Sequence, residues 1–121
     1  MRFVVQEHYA SQHHFDFRLE MEGVARSWAV PKGLPDEKGQ KRLAIAVEDH
    51  SVDYMGFEGH IPEGMYGAGE VYIWDSGEYE LLKKEPQEIK IKLKGNSVQG
   101  TYVIFKFPKA GENAWLILKS D

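Results

Sequence analysis

Three histidines and one aspartate, His8, His13, His14 and Asp16, lie in one short segment near the start of the chain. Residues two apart on one face of a β-strand have Cα atoms roughly 6.6 Å apart, so His14 and Asp16 can converge on one ion. His8, which we expect on an adjacent turn, would supply the third ligand that a catalytic metal site needs. The segment therefore predicts a metal site built on His8, His14 and Asp16.

Polar and apolar residues alternate through this segment, as in a strand with one buried face. The polar face carries His14, Asp16, Arg18 and Glu20, and the apolar face carries Phe15, Phe17 and Leu19. Arg18 follows the two ligand types as a cation that can hold an anion. A simpler interpretation stays open, because polar residues on the outer face of an antiparallel strand are often only solvated.

A second polar cluster, Glu48-Asp49-His50, follows a predicted strand that ends at Val47, and Tyr54 comes shortly after it. Residues that do chemistry are often carried at such strand ends. The acidic side chains could equally cap nearby backbone amides. Both interpretations stay open for this cluster.

Two turn-forming segments also carry residues that could belong to a functional site. Lys32 lies between Pro31 and Gly33, on a constrained turn that could aim its side chain, although most such lysines are solvated. The glycines of residues 56–69 indicate a bent backbone. We interpret this loop as structural scaffolding, with His60 outside the metal site.

The composition limits the classes to which the chain can belong. A length of 121 residues with 42% hydrophobic and 12% aromatic content predicts a single globular domain, 1–121. A net charge of −4 argues against a general polyanion binder but permits an enzyme with a local basic site. The absence of cysteine excludes disulfides and thiolate zinc sites. No apolar run approaches the roughly 20 residues of a membrane span, so we expect a cytoplasmic protein without membrane contact.

Strand patterns recur along the rest of the chain and helix patterns do not. Besides the His14 segment, we predict strands at Ser27–Val30, Arg42–Glu48, Gly69–Trp74, Glu78–Leu82, Ile89–Lys94, Gly100–Phe107 and Trp115–Leu118. We also predict a hairpin turn at Asp75-Ser76-Gly77, and Leu43, Ile45 and Val47 on one side of their strand. The sequence thus predicts an all-β fold with little helix, a small closed antiparallel β-barrel of about eight strands.

The order of these motifs resembles the 3′-phosphoesterase domain of bacterial DNA ligase D and its stand-alone homologues. The resemblance runs through His8–Ser11, His14–Glu20, Trp28–Gly33, Glu48–His50, Asp53–Tyr54, Phe57–Gly59, Ile61–Gly64, Tyr66–Gly69 and Trp74–Asp75. Each block is moderately specific, but the blocks in this order are highly specific and span nearly the whole chain.

The resemblance implies a role for each matching residue. Family residues that match His8, His14 and Asp16 bind manganese, those that match Arg18 and His50 hold the scissile phosphate, and matches to Gln6, Lys32, Glu48 and Tyr54 also belong to the site. Because such ligands bind several divalent metals, zinc or cobalt can occupy the same site.

The family heals 3′ ends. It removes a terminal ribonucleoside from a DNA or DNA–RNA 3′ end as a phosphodiesterase, then removes the 3′-phosphate as a phosphomonoesterase, leaving a 3′-OH. The resemblance therefore implies a manganese-dependent hydrolase of primer-template 3′ ends in non-homologous end joining. The family usually carries an N-terminal arm, whereas seven residues precede His8 here, so we expect one step to be weakened. We expect a monomer that works with separate ligase and polymerase proteins.

Two other functions stay open from the sequence. The first is a non-catalytic module that docks on DNA ends or on repair partners with the same barrel. The second is a small-ligand barrel, against which the gathering of polar residues at one rim argues.

Overall fold

The computed structural model describes residues 1–121, and its strands form a single antiparallel sheet. The strands are β1 (Arg2–Tyr9), β2 (His13–Met21), β3 (Val24–Val30), β4 (Lys41–His50), β5 (Gly59–Ile61), β6 (Gly69–Glu85), β7 (Glu88–Gly95), β8 (Gln99–Lys106) and β9 (Ala114–Lys119). Two short 3-10 helices, Val52–Gly56 and Pro108–Ala110, are the only helical segments. Neither is long and apolar enough to cross a bilayer.

The sheet closes on itself because β1 pairs with β2 along one edge and with β6 along the other. The order around the barrel is β1-β2-β3-β4-β9-β8-β7-β6, and β5 pairs with β6 outside this ring. Closure leaves no open edge among the eight barrel strands. The predicted closed antiparallel barrel of about eight strands with little helix is confirmed.

Apolar side chains at alternate strand positions fill the barrel. Phe3 and Val5 of β1 pack with Phe17 and Leu19 of β2 and with Trp28 of β3, and each is at most 1% exposed. These positions share one face of each strand, because a strand alternates its side chains between two faces. The predicted apolar face of β2 is therefore the core face.

The other face of β1 and β2 is also covered over part of its length, which the alternation did not predict. Met55 of the first 3-10 helix packs on Val4 and Ala25, and Tyr54 of the same helix lies against Arg18 of β2. Burial on both faces removes the alternating pattern from β1. For this reason the expectation that His8 lies on a turn was wrong: it lies in β1.

The predicted hairpin at Asp75-Ser76-Gly77 was also wrong, because β6 continues straight through it. A register shift against β1 leaves Trp74 as the extra residue of a β-bulge. The Asp75 carboxylate accepts hydrogen bonds of 3.0, 3.0 and 2.6 Å from the backbone amides of residues 96–98, in the turn between β7 and β8. A Cβ on Gly77 would lie 2.2 Å from the Lys94 carbonyl oxygen. Asp75 and Gly77 are therefore residue types common in turns, but here they lie next to a β-bulge and at a close approach between the backbones of β6 and β7.

The apolar residues of β4 do share one side, but that side faces outward. Ala44 is buried against the core, whereas Leu43 and Val47 are 38% and 37% exposed. Ile45 is opposite Ala29 and Val47 is opposite Ser27 in the ladder with β3. This apolar strip consequently continues the outer face that carries the polar residues of β2.

Candidate active site

The three predicted metal ligands meet on the outer face of the barrel. His8 and His14 are directly opposite each other in the β1–β2 ladder, and Asp16 is opposite Gln6 two residues along. One ligand atom from each of His8, His14 and Asp16 lies within 4.8 Å of the others. The register of two neighbouring strands therefore assembles the cluster without help from a loop.

Backbone carbonyls determine which nitrogen of each imidazole faces the aspartate. His8 Nε2 lies 2.7 Å from the Gly67 carbonyl oxygen, and His14 Nδ1 lies 2.9 Å from that of Gln12. Since a carbonyl only accepts, these two nitrogens carry the protons. The opposite nitrogens then face the Asp16 carboxylate, at 3.3 Å for His8 Nδ1 and 3.2 Å for His14 Nε2. Two lone pairs aimed at one carboxylate need a shared cation or proton, so the residues fit a divalent metal.

The electrostatics of the cluster agree with this fit. The hydrogen bond to Asp16 raises the pKa of His14 above its ordinary value. Burial alone would raise the pKa of Asp16, but the hydrogen bond from His14 and the positive charge of Arg18 outweigh it, so that pKa is lowered. Asp16 is therefore a carboxylate at neutral pH, and its negative charge favours a cation on the His14 ring nitrogen that faces it.

Gly67 shows that the glycine-rich loop does more than the scaffolding role that we expected. Its carbonyl orients His8, and its φ of +77° is a conformation that favours glycine. A Cβ at this position would lie 3.4 Å from His8 Cε1. His60, in contrast, faces Glu70 on the surface, at 2.6 Å between Nδ1 and Oε1.

Arg18 is held rigidly beside the cluster. Its Nε donates to Gln6 Oε1 at 2.6 Å and its Nη1 donates to Ser27 Oγ at 2.7 Å. Its Nη2 lies 3.5 Å from Asp16 Oδ2, and its guanidinium carbon lies 4.9 Å from the centre of the Tyr54 ring. Arg18 is only 3% exposed yet lines the cavity, so its remaining N–H groups are presented in one fixed orientation.

His50 is the last residue of β4 and, like Arg18, lies against the Tyr54 ring. Its ring stacks on Tyr54 with centroids 4.5 Å apart, and Tyr54 stacks in turn on Phe57 at 5.2 Å. Burial and the nearby Arg18 charge lower the pKa of His50. The imidazole is therefore neutral at pH 7 in the absence of an added anion.

Residues 6–106 match the family described as the DNA Ligase D 3′-phosphoesterase domain. The chain belongs to this family. It is 50% identical over 108 residues to the multifunctional non-homologous end joining protein LigD of Mycobacterium bovis, covering 86% of this chain and 14% of that protein. It is 44% identical over 126 residues to LigD of Mycolicibacterium smegmatis, covering 95% of this chain and 16% of that protein. It is 42% identical over 127 residues to LigD of Pseudomonas aeruginosa, covering 99% of this chain and 15% of that protein. The chain thus spans between 14% and 16% of the length of these relatives.

Residues of the phosphoesterase-domain match surround one cavity of about 380 Å³. The cavity lining includes both polar and apolar side chains. Its polar and charged lining residues include His8, His14, Asp16, Arg18, Glu48, His50 and Tyr54, and its more apolar ones include Ala29, Val47, Ile61 and Tyr66. Anion-binding groups and apolar side chains in one cavity suit a phosphate that carries an organic group.

Two residues implied by the phosphoesterase resemblance lie away from the cavity lining. Gln6 is fully buried beneath it, where its Nε2 donates to the carbonyls of Tyr54 and Phe57 at 2.9 and 3.1 Å. Gln6 therefore links the Arg18 side chain to the backbone of Tyr54 and Phe57. Lys32 is exposed on the turn after β3 and is absent from the cavity lining, and its carbonyl accepts a hydrogen bond from Arg42.

Ser27 and Phe57 are parts of the site that the sequence analysis missed. Ser27 is 1% exposed and its Oγ donates to the Ala25 carbonyl at 2.9 Å while it accepts from Arg18. A serine at the start of the otherwise apolar stretch Ser27–Val30 was the available signal, because a buried hydroxyl needs a partner. Phe57 gave no comparable signal, since its role is to stack on Tyr54.

Proposed function

We propose that this chain is a 3′-end-healing phosphoesterase that acts on DNA or DNA–RNA primer-template ends. It removes a 3′-terminal ribonucleoside as a phosphodiesterase and then the 3′-phosphate as a phosphomonoesterase, leaving a 3′-OH. The observation that carries the proposal is the pair of oriented imidazoles sharing one carboxylate beside a fixed guanidinium. Membership in the phosphoesterase-domain family supports the same reaction class.

We propose manganese as the working metal, with zinc or cobalt able to take the same ligands. His8 Nδ1, His14 Nε2 and an Asp16 oxygen would hold it, because these are the atoms that converge. A divalent cation supplies Lewis acidity toward a phosphoryl oxygen when it is bound. Asp16 and the two carbonyl-anchored imidazoles form a nitrogen and oxygen donor set without sulfur, which suits manganese.

The remaining groups position the phosphate. Arg18 presents a planar fork to two phosphate oxygens, and its orientation is fixed by Gln6 and Ser27. His50 offers one N–H as a neutral imidazole, and it takes up a proton when a phosphate brings negative charge next to it. Ser27 Oγ is engaged with Arg18 and Ala25, so we propose attack by water.

The direct test uses a labelled primer-template that ends in one ribonucleotide, incubated with and without manganese. The expected products are first a 3′-phosphate end and then a 3′-OH end, both only with the metal. A chain that binds the primer-template but releases no product under any divalent metal would be a docking module, and the proposal would then be wrong. The product 3′-OH is the end that a polymerase extends or a ligase seals.

Arg18→Lys should lower kcat/KM by about 100-fold although the charge is kept. An ammonium makes a point contact and cannot span Gln6, Ser27 and a phosphate at once. Steady-state kinetics on a 3′-phosphate primer measure the change, and Arg2→Lys, on the exposed end of β1, is the matched control. Wild-type kcat/KM in Arg18→Lys would mean that Arg18 supplies only general positive potential.

His50→Ala should lose catalysis but keep its affinity for manganese. His50 comes from the end of β4 and is not a member of the ligand cluster, so the donor set stays intact. Manganese titration by calorimetry, run beside the primer assay, separates the two properties. Loss of manganese affinity together with activity would make His50 a ligand.

The affinity for manganese should fall as the pH decreases through the raised pKa of His14. A protonated imidazole cannot bind metal, and the Asp16 hydrogen bond favours the protonated form. Below that pKa, each pH unit should lower the apparent affinity about tenfold for one displaced proton. Calorimetric titrations between about pH 5 and pH 8 measure the slope. A flat profile over this range would show that metal binding displaces no proton from His14.

A further inference from the structure

A row of aromatic side chains lies on the opposite face of the hairpin that carries the metal ligands. We call Tyr9, His13, Phe15, Tyr72 and Trp74 the aromatic face. We propose that the aromatic face binds unpaired nucleotides of the DNA whose 3′ end occupies the candidate active site. This inference rests on the proposed function and adds a second contact region for the same nucleic acid.

The rings of the aromatic face form a continuous row. The Tyr9 ring stacks on the His13 ring, with centroids 4.7 Å apart and planes at 24°. Tyr72 lies 6.0 Å from Tyr9, Phe15 lies 5.3 Å from His13, and Trp74 lies 6.0 Å from Phe15. Three strands, β6, β1 and β2, contribute to the row, and the bulge at Trp74 places its ring there.

Three large side chains of the row, Tyr9, Tyr72 and Trp74, are exposed. Tyr9, Tyr72 and Trp74 are 48%, 47% and 48% exposed, whereas Phe15 packs on the barrel core. β6 pairs with β7 only from Gly77 onward, so the first part of β6 projects beyond the barrel with β1 and β2. A contiguous exposed patch of this kind is typical of a binding surface.

The edges of the rings are fixed by hydrogen bonds. Glu7 Oε2 accepts from the Tyr9 hydroxyl at 2.9 Å and from His13 Nε2 at 2.8 Å. The two rings are therefore oriented before any partner arrives, which lowers the entropic cost of stacking. Nucleobases are the partner that a row of fixed aromatic rings fits best, because every base has a π-face.

The turn that carries Lys32 lies at the edge of the row. Phe15 is opposite Val30, and the turn that follows packs on the Phe15 ring: a Cβ on Gly33 would lie 3.3 Å from Phe15 Cδ1. Lys32, on this turn, is exposed. Aromatic rings flanked by a lysine match single-stranded nucleic acid better than they match an aliphatic protein surface.

The aromatic face is continuous with the candidate site. Tyr9 is opposite His13 in the ladder, in the pair next to His8 and His14. Successive side chains of a strand point to opposite faces, so the hairpin carries ligands on one face and aromatic rings on the other. The hairpin tip, residues 10–12, therefore separates a 3′ end on the ligand face from an unpaired strand on the aromatic face.

Binding is tested with a fluorescein-labelled oligo-dT that ends in a 3′-OH, without added metal. Tyr72→Ala and Trp74→Ala should each weaken the affinity measured by anisotropy about tenfold, equivalent to about 1.4 kcal/mol. Leu82→Ala, an exposed position on the same strand but outside the aromatic face, is the matched control. Wild-type affinity in both aromatic variants would overturn the proposal.

Tryptophan fluorescence gives a readout that does not depend on truncation. Trp74 is 48% exposed, whereas Trp28 and Trp115 are 1% and 3% exposed. Oligo-dT should therefore quench part of the emission of the wild type and none of the emission of Trp74→Phe, whose ring still fills the site. Equal quenching in the two proteins would place the oligonucleotide elsewhere and would contradict the proposal.

The final comparison uses two primer-templates with the same 3′-ribonucleotide, one blunt and one with an unpaired template extension. The wild type should process the extended substrate faster, and Trp74→Ala should abolish this preference. An unchanged ratio of rates in Trp74→Ala would refute the inference while the proposed function stands. If the wild type processes neither end, the proposed function fails, and the metal-free oligo-dT titration alone decides the inference.

Discussion

Asp16→Asn should reduce turnover on a 3′-ribonucleotide primer by about 100-fold or more, because even residues that only support a metal ligand contribute 10- to 100-fold. Asparagine keeps the shape of the side chain but removes the negative charge that the His8 and His14 imidazoles share. Asp16 belongs to the outer face of β2, so the substitution removes no contact from the barrel core.

Turnover, manganese affinity and thermal melting should be measured together on Asp16→Asn and on His14→Ala. The two variants should remain folded and lose both metal affinity and activity. His60→Ala is the matched histidine control, because His60 lies on the surface against Glu70. Wild-type turnover in Asp16→Asn would show that the cluster is not the metal site.

Phe17→Ala should lower the free energy of unfolding by roughly 3–5 kcal/mol. Phe17 is 1% exposed and packs between Phe3 and Trp28, with ring centroids 6.3 Å from each. A domain of this size has about 5–15 kcal/mol of stability in total, so the variant should be close to unfolding at 37 °C.

Urea denaturation at a constant m-value measures this loss. Phe15→Ala is the informative comparison, because Phe15 lies on the same face of β2 but is only half buried at the edge of the core. Its substitution should cost clearly less. A Phe17→Ala midpoint equal to that of the wild type would mean that the core face of β2 has been assigned wrongly.

The strands that the sequence predicted well are those whose residues alternate between apolar and polar types. β2 and β7 alternate cleanly, and their apolar residues are the core residues. β1 was missed because Phe3, Val4 and Val5 are all buried, on two different faces. The length of β6 was missed because an aspartate and a glycine that serve a bulge are the same residue types that form turns.

The three candidate ligands were predicted, but the strand register and the backbone hydrogen bonds that orient them were not. The strand spacing gave His14 and Asp16, whereas the position of His8 opposite His14 depends on the register of β1, which local patterns do not encode. The carbonyl groups of Gly67 and Gln12 that orient the imidazoles belong to the backbone. A sequence does not display backbone hydrogen bonds, so the tautomers followed only from the structure.

The pairing of β1 with β6 has a consequence for how the protein acquires its activity. Arg2 is opposite Glu78 and Tyr9 is opposite Glu70, so the strand that carries His8 is also the strand that closes the barrel. Contacts so distant in sequence form slowly, and until they form, the Gly67 carbonyl that orients His8 is not in place. Metal uptake therefore reports on completed folding, and any ligand of the cluster should raise the global unfolding temperature by mass action rather than protect one loop.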